Sequence, residues 1–414
     1  MFSFKKVHLF VWLIVGIFPF PVLSFDIPSK VYGILEEHPA VQKLKLQSNA
    51  ALLESSAKNG LPDPELMVGI NNFPLTKPSF DDYLPTNKSI GIKQMFPSLA
   101  GREARAETIR MRSSLIDLKS SYIVHQLFGK YLKAHAEKVA SDERRVVLKE
   151  QRYLLDRFEK SLNALAEVSD AKAFERLAAL DVQRADLELR EILLDEIAAS
   201  ALTQMKAIDE DLVIQNKLDG ANKLDGANKL RVPLEPYSFW TELLSKVSRE
   251  IASADVIVKS SAYKPDFGVS LTYQQREKGT SFRGDDWISL KALIRIPFWA
   301  TRTHDNRLAA AKAKENAARL GVSLSRRDSE EQWNILNVKR ESALNTIARL
   351  LKKADVLAQS LKANRNNYES GLGDIASFHT IEMKQLQIKD QIIQYKLKAD
   401  KTTISLHMLI RGRV

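Results

Sequence analysis

The chain contains fourteen prolines, and none of them falls within residues 98–232 or 298–414. A proline inside a helix removes a hydrogen bond and clashes with the preceding turn, so proline-free stretches of this length allow uninterrupted helix. Both blocks are poor in glycine and rich in Ala, Leu, Lys, Glu and Arg, which favour helix. Apolar residues recur at heptad-like spacing, as Leu115, Leu118, Tyr122, Leu132, Ala136 and Val139 in the first block. In the second they are Leu344, Ile347, Leu351, Ala354, Ala358 and Leu361. This spacing predicts long helices packed as coiled coils. Each block has room for one reversal. In the second, Gly371 and Gly373 stop one helix and Asp374 caps the next. In the first, the turn is expected near residues 158–163. Residues 302–370 alone would run about 100 Å at ~1.5 Å per residue, longer than a compact domain needs.

A pair of alternating strands precedes each block. Phe267, Val269, Leu271 and Tyr273 alternate with Gly268, Ser270 and Thr272. After a polar loop, Ile288, Leu290, Ala292, Ile294 and Ile296 alternate with Ser289, Lys291, Leu293 and Arg295. Period-2 patterning over about ten residues is what a membrane-spanning β-hairpin requires, because its two faces meet lipid and water. A hairpin of a soluble sandwich alternates in the same way. The first half repeats the arrangement. Leu66, Val68 and Ile70 alternate with Met67, Gly69 and Asn71, and Ile90, Ile92 and Phe96 alternate with Ser89, Gly91, Lys93 and Met95. Pro62-Asp63-Pro64 and Pro265-Asp266-Phe267 open the hairpins, while Pro97 and Pro297 close them. A helix-spaced segment precedes each hairpin, at 27–59 and 237–262. The chain therefore reads as an internal repeat. Residues 25–215 hold a helix, a hairpin at 65–97 and a helical hairpin at 100–210. Residues 237–414 hold a helix, a hairpin at 264–298 and a helical hairpin at 300–412. Between them, residues 216–236 form a linker in which Asn-Lys-Leu-Asp-Gly-Ala is repeated, as an inserted surface loop tolerates.

The first 24 residues read as a secretory signal peptide. Lys5 and Lys6 precede an apolar run that ends at Pro19 and Pro21, with cleavage expected after Ser24. A membrane anchor is the other reading, but the run is short for a span. The chain has no cysteine, hence no disulfide framework and no lipidation site of that kind. No other segment is apolar enough for a transmembrane helix, so insertion would be through strands. The 44% hydrophobic content excludes wholesale disorder. The net charge of +11 comes from basic residues interleaved with acidic ones along the helical blocks, which marks solvated helix faces. No nucleic-acid signature accompanies it.

The residues offer no enzyme chemistry. Seven histidines, at 8, 38, 125, 135, 304, 379 and 407, lie apart, without metal-ligand spacing. His125 follows the helical stripe and reads as an interface residue. No nucleophile motif or phosphate-binding glycine loop is present, and no cofactor is implied.

The segments Leu61-Pro62-Asp63-Pro64-Glu65-Leu66, Gln94-Met95-Phe96-Pro97 and Lys264-Pro265-Asp266-Phe267-Gly268-Val269 resemble hairpin segments of the TolC family of bacterial outer-membrane efflux proteins. They look closest to its heavy-metal efflux branch. Tyr368, Gly371 and Gly373 are similar to the family's helix-turn signature. The resemblance covers essentially the whole mature chain. The chain departs from it at Ser161 and Asn163, where glycines would stand, in the linker repeat, and in lacking the lipoprotein cysteine of many relatives.

The resemblance implies an α+β membrane protein: a long antiparallel α-helical coiled-coil barrel plus four transmembrane β-strands per chain. Four strands cannot close a barrel, because open edges in lipid leave backbone groups unsatisfied. The resemblance implies a homotrimer with a 12-stranded β-barrel. Ile90, Ile92, Ile288, Leu290 and Ile294 would then face outer-membrane lipid, and Lys93, Ser289, Lys291 and Arg295 the lumen. The helices would extend into the periplasm and meet a periplasmic adaptor (membrane fusion protein) linked to an inner-membrane pump. At that end Gly371, Gly373, Asp374 and Glu369 are the candidate turn or gate. Asp374 and Glu369 would form an acidic ring, or Asp374 would only cap its own helix. The function implied is a passive efflux conduit for metal ions or drugs. A channel of a type I secretion system, a periplasmic coiled-coil adaptor and a secreted enzyme on a helical scaffold are the other readings.

Overall fold

The computed structural model describes residues 27–166, 171–210, 212, 238–280, 282–370 and 373–411. The expected signal peptide, the linker 216–236 and Gly371 lie outside the described residues. The chain begins with α1 (Ser29–Glu36) and α2 (Pro39–Asn59), then β1 (Glu65–Asn71), β2 (Asn87–Phe96), α3 (Leu99–Ala166) and α4 (Ala171–Ile208). The second half supplies α5 (Trp240–Ser261), β3 (Asp266–Gln275), β4 (Trp287–Arg295), α6 (Ala300–Glu369) and α7 (Ile375–Leu409).

The helix-spaced segment 27–59 is two helices. Pro39 has no N–H to continue a helix, so it starts a new one, and His38 Nδ1 accepts from Ala40 N at 3.2 Å. The expected turn near 158–163 is also corrected. Helix α3 runs through it to Ala166, because Leu155, Phe158 and Leu162 continue one apolar stripe. They bury against Leu180 and Leu187 of α4, and Ile375 and Met383 of α7 pack onto them.

Helices α3 and α6 have 68 and 70 residues, about 100 Å each at ~1.5 Å per residue. The helices lie side by side. Near the sheet the order is α2–α3–α5–α6, and farther away it is α4–α3–α7–α6. Where α1, α3, α4 and α7 meet the start of α2, Leu35, Val41, Tyr131, Ala201 and Ile404 form the largest core among the described residues. His125 lies at the helix interface, where its Nε2 donates to the His407 carbonyl at 2.8 Å.

Along α6 the inward stripe is Trp333, Leu336, Arg340, Ala343, Ile347, Leu350, Ala354, Leu357 and Leu361, spaced alternately by three and four. Of the expected coiled-coil residues, Ile347, Ala354 and Leu361 belong to it, whereas Leu344, Leu351 and Ala358 point outward. The sequence carries two neighbouring apolar stripes, and α5 and α7 cover only one.

A ladder of ion pairs ties α3 to α7: Glu137–Lys401, Arg144–Asp390 (2.6 Å), Glu150–Lys389 (2.9 Å) and Arg157–Glu382. The α3 members recur about every two turns. A second set joins α3 to α4 through Arg145–Asp195, Arg152–Glu191 and Asp156–Arg184.

The four strands form one antiparallel sheet in the order β1-β2-β3-β4. Its central pairing, β2 with β3, joins the two halves, with Lys93 opposite Ser270 and Phe96 opposite Phe267. Both outer strands, β1 and β4, have an edge that no described strand of the chain pairs with.

Candidate functional site

The register puts every alternating apolar set on the same side of the sheet. Val68 lies opposite Ile90, Ile90 opposite Tyr273, and Tyr273 opposite Ile288. Ile92, Leu271 and Leu290 form the next row, and Ile294 pairs with Phe267. The other side carries Lys93, Ser289, Lys291 and Arg295. One of its rows runs Glu65, Lys93, Ser270, Lys291, with Lys93 Nζ 2.7 Å from the Glu65 carboxylate.

Exposure of the two faces is the reverse of a soluble sandwich. Val68 and Leu290 on the apolar face are 76% and 72% exposed, whereas Ser270 on the polar face is 5% exposed. The residue sizes explain this. Gly69, Gly91 and Gly268 all lie on the polar side, so that side can close into the concave one. A Cβ at Gly91 would stand 2.7 Å from Thr272 Oγ1 and 2.9 Å from the Leu271 carbonyl oxygen. Branched side chains occupy the other side, and among the described residues nothing covers them.

Aromatic side chains mark both ends of the apolar band. Tyr273 sits at the loop end of the band, while Trp287, paired with Gln274, falls on the polar face, where the Arg276 guanidinium stacks 3.6 Å from its ring centroid. Phe96 and Phe267 sit at the helix end, with Phe298 and Trp299 79% and 77% exposed just beyond. Strands of nine and ten residues tilted in a barrel span about 25 Å, the height of an outer-membrane apolar band with aromatic girdles. No helix among the described residues is long and apolar enough to cross a membrane.

The other candidate site is the far helical end. Asp374 caps α7 by accepting from Ala376 N at 3.2 Å, and its carboxylate also pairs with the Arg176 guanidinium of α4 at 3.1 Å. Glu369 pairs with Arg365 at 2.9 Å on its own helix. The structure thus brings Asp374 to α4 and keeps Glu369 on a separate local pair. Gly373 is pressed against the end of α6, where a Cβ would stand 2.8 Å from Tyr368 N.

One turn into α7, His379 stacks on Phe158 with ring centroids 4.1 Å apart. Burial, helped by the Arg157 charge, pushes its imidazole down to about 4, so it is neutral at neutral pH. His379 and the buried Gln151 line a cavity of about 260 Å³ between α3, α4 and α7. Sequence reading missed Arg176 and the Phe158–His379 stack, because they depend on which helices become neighbours.

A sheet with its apolar side exposed, carried on helices of about 100 Å, is a fold shared with solved outer-membrane channels. Solved structures with this fold include CusC, which forms a transmembrane channel, at 11% identity, covering 94% of each chain with a TM-score of 0.68. The outer membrane protein VceC from Vibrio cholerae is 13% identical, covers 92% of this chain and 94% of its own, and has a TM-score of 0.66. The MtrE outer membrane channel of Neisseria gonorrhoeae is 14% identical, covers 92% of this chain and 87% of its own, and has a TM-score of 0.64. No protein-family model and no curated protein matches the sequence.

Proposed function

We propose that this chain is the outer-membrane channel component of a tripartite efflux system, a passive conduit from periplasm to exterior and not an enzyme. The observation that carries the reading is the sheet that exposes its apolar face and gathers its glycines and charged side chains on the other. Ile90, Ile92, Ile288, Leu290 and Ile294 meet lipid, while Lys93, Ser289, Lys291 and Arg295 line the water-filled lumen. Open edges at β1 and β4 cannot remain in lipid, so strands of other copies must complete the wall. Three copies give a 12-stranded barrel, in line with the family resemblance. Unpartnered apolar residues on the outer helices support the same closure: Leu46 and Leu53 on α2, Val182 and Leu189 on α4, Leu344 and Leu351 on α6.

The helices then continue the tube into the periplasm, and their far end, with Gly373, Asp374 and Arg176, meets the periplasmic adaptor of an inner-membrane pump. Energy comes from that pump. The cargo is metal ions or drugs, and the resemblance of the hairpin segments favours the heavy-metal branch.

Reconstitution in planar lipid bilayers tests the reading. The detergent-solubilised protein should have the native mass of three chains and give discrete conductance steps. A monodisperse monomer that is soluble without detergent and leaves the bilayer silent would refute it.

A further inference from the structure

The seam between the two halves of the chain offers a template for the seam between copies; this inference rests on the trimer proposed above. Aligning Asp63 with Asp266, and Pro97 with Pro297, brings the two hairpins into register. The pair Glu65–Lys93 of the first becomes Gly268–Leu293 of the second, which is an observed pair. Within the chain, β2 pairs with β3, with Ile90 opposite Tyr273, Lys93 opposite Ser270 and Met95 opposite Gly268. The same alignment converts that pairing into one between β4 and the β1 of a neighbouring copy. Leu290 then lies opposite the neighbour's Ile70, Leu293 opposite its Met67, and Arg295 opposite its Glu65.

Two properties of this register were not used to obtain it. Apolar residues meet apolar ones on the lipid side, whereas a slip of one residue would invert one strand. Arg295 also meets a carboxylate, and directly opposed unlike charges stabilise a strand pair.

The aspartates supply a third line. Asp266 Oδ1 accepts from Ser98 N at 3.0 Å, just before α3, and Oδ2 lies 3.8 Å from the Arg295 guanidinium. Its twin Asp63 makes no hydrogen bond or ion pair among the described residues. By that alignment the counterpart of Ser98 is Phe298, whose N–H already donates to the Ile296 carbonyl at 3.0 Å; the next residue, Trp299, stands directly before α6, and no side chain caps that helix. Beside it runs a groove of about 680 Å³ lined by Arg105, Lys264, Arg295 and Arg307, with Asp266 as its only carboxylate.

We infer that Asp63 of each copy enters this groove on its neighbour and accepts from Trp299 N, fixing the β4–β1 register at Leu293–Met67 and Arg295–Glu65. The docked aspartate brings an acceptor to an uncapped helix start and negative charge to a basic groove.

The chain has no cysteine, so paired cysteine substitutions report the register directly. Opposite residues in an antiparallel pair have Cα atoms about 4.5–5.5 Å apart, and disulfides do not bridge Cα atoms beyond about 7 Å. Oxidation of membranes carrying M67C/L293C should therefore give covalently linked trimers, as should N71C/S289C in the same register. Each single-cysteine parent should give none. Asp63→Ala should lower the melting temperature of the trimer, and Asp63→Asn should restore part of it. Preferential cross-linking of M67C/K291C or M67C/R295C would overturn the register, and an unchanged melting temperature in Asp63→Ala would overturn the cap. If the unmodified protein has the native mass of one chain, the trimer reading itself fails, whatever the cross-links.

Discussion

Leu290→Arg is the sharpest test of which side of the sheet meets lipid. Leu290 is the fourth of nine residues in β4, next to the middle of the strand, and 72% exposed on the apolar face. Arginine on the lipid face near the bilayer midplane costs about 2–4 kcal/mol, falling toward the interfaces. Three copies carry three such residues at well-separated sites, so the penalties add to about 6–12 kcal/mol per trimer. That is comparable to the whole stability of a typical domain, about 5–15 kcal/mol. Refolding the purified protein into lipid vesicles, with assembly followed by native mass, should show little Leu290→Arg trimer. Ser289→Arg moves the same charge one residue along the strand to the polar face, and its trimer yield should match the unmodified protein. Equal loss from both substitutions would refute the assignment of faces.

Three further predictions concern the far helical end. Leu162→Ala should destabilise the junction of α3, α4 and α7 by about 2–5 kcal/mol, because Leu162 is fully buried there; faster amide exchange confined to that end would show it, and unchanged exchange would refute the packing. His379 has its imidazole held down to about 4, below the ordinary 6.5. Its folded form therefore binds fewer protons than the unfolded chain, so stability is full above about pH 6.5 and is lost as pH falls toward about 4; His379→Phe should flatten that part of the melting profile, and an unaltered profile would refute it. Asp374→Asn keeps an N-cap acceptor but gives up the Arg176 pair, worth about 0–1 kcal/mol at an exposed site. The substitution also leaves the Arg176 charge uncompensated, so a pair lining the mouth predicts lower cation selectivity in single-channel recordings; unchanged selectivity would leave Asp374 as a cap alone.

The features legible in the sequence are those fixed by local chemistry. Proline exclusion from 98–232 and 298–414 announces the long helices, and strict alternation around Ile90 and Leu290 announces the two-faced strands. The twin Pro-Asp openings expose the duplication. What cannot be read depends on partners. Leu344 and Ile347 of α6 both look apolar in one dimension, and only the placement of α5 and α7 selects Ile347 for the interior. The first turn is misplaced by sequence reading because Ser161 and Asn163 resemble a helix stop, while Phe158 and Leu162 bind that stretch into a three-helix contact. Pairing of β2 with β3 spans more than 150 residues, and no local signal encodes it. Asp374 is recognisable as a cap, but its Arg176 partner comes from another helix.

The ion pairs between α3 and α7 also decide what motions that contact allows. Sliding α7 by one helical turn, about 5.4 Å, replaces each partner by the residue four positions away. Lys401 gives way to Leu397 or Ser405, and Asp390 to Leu386 or Gln394. Lys389 gives way to Gln385 or Ile393, and Glu382 to Phe378 or Leu386. None of these is charged, so a one-turn slip breaks the set; Lys398, three residues from Lys401, is the one nearby cation that could replace a partner. Each pair alone contributes little at a solvated surface. As a set they act as a ratchet with a single tooth, which leaves tilting and bending as the movements by which the far end of this helix pair can open.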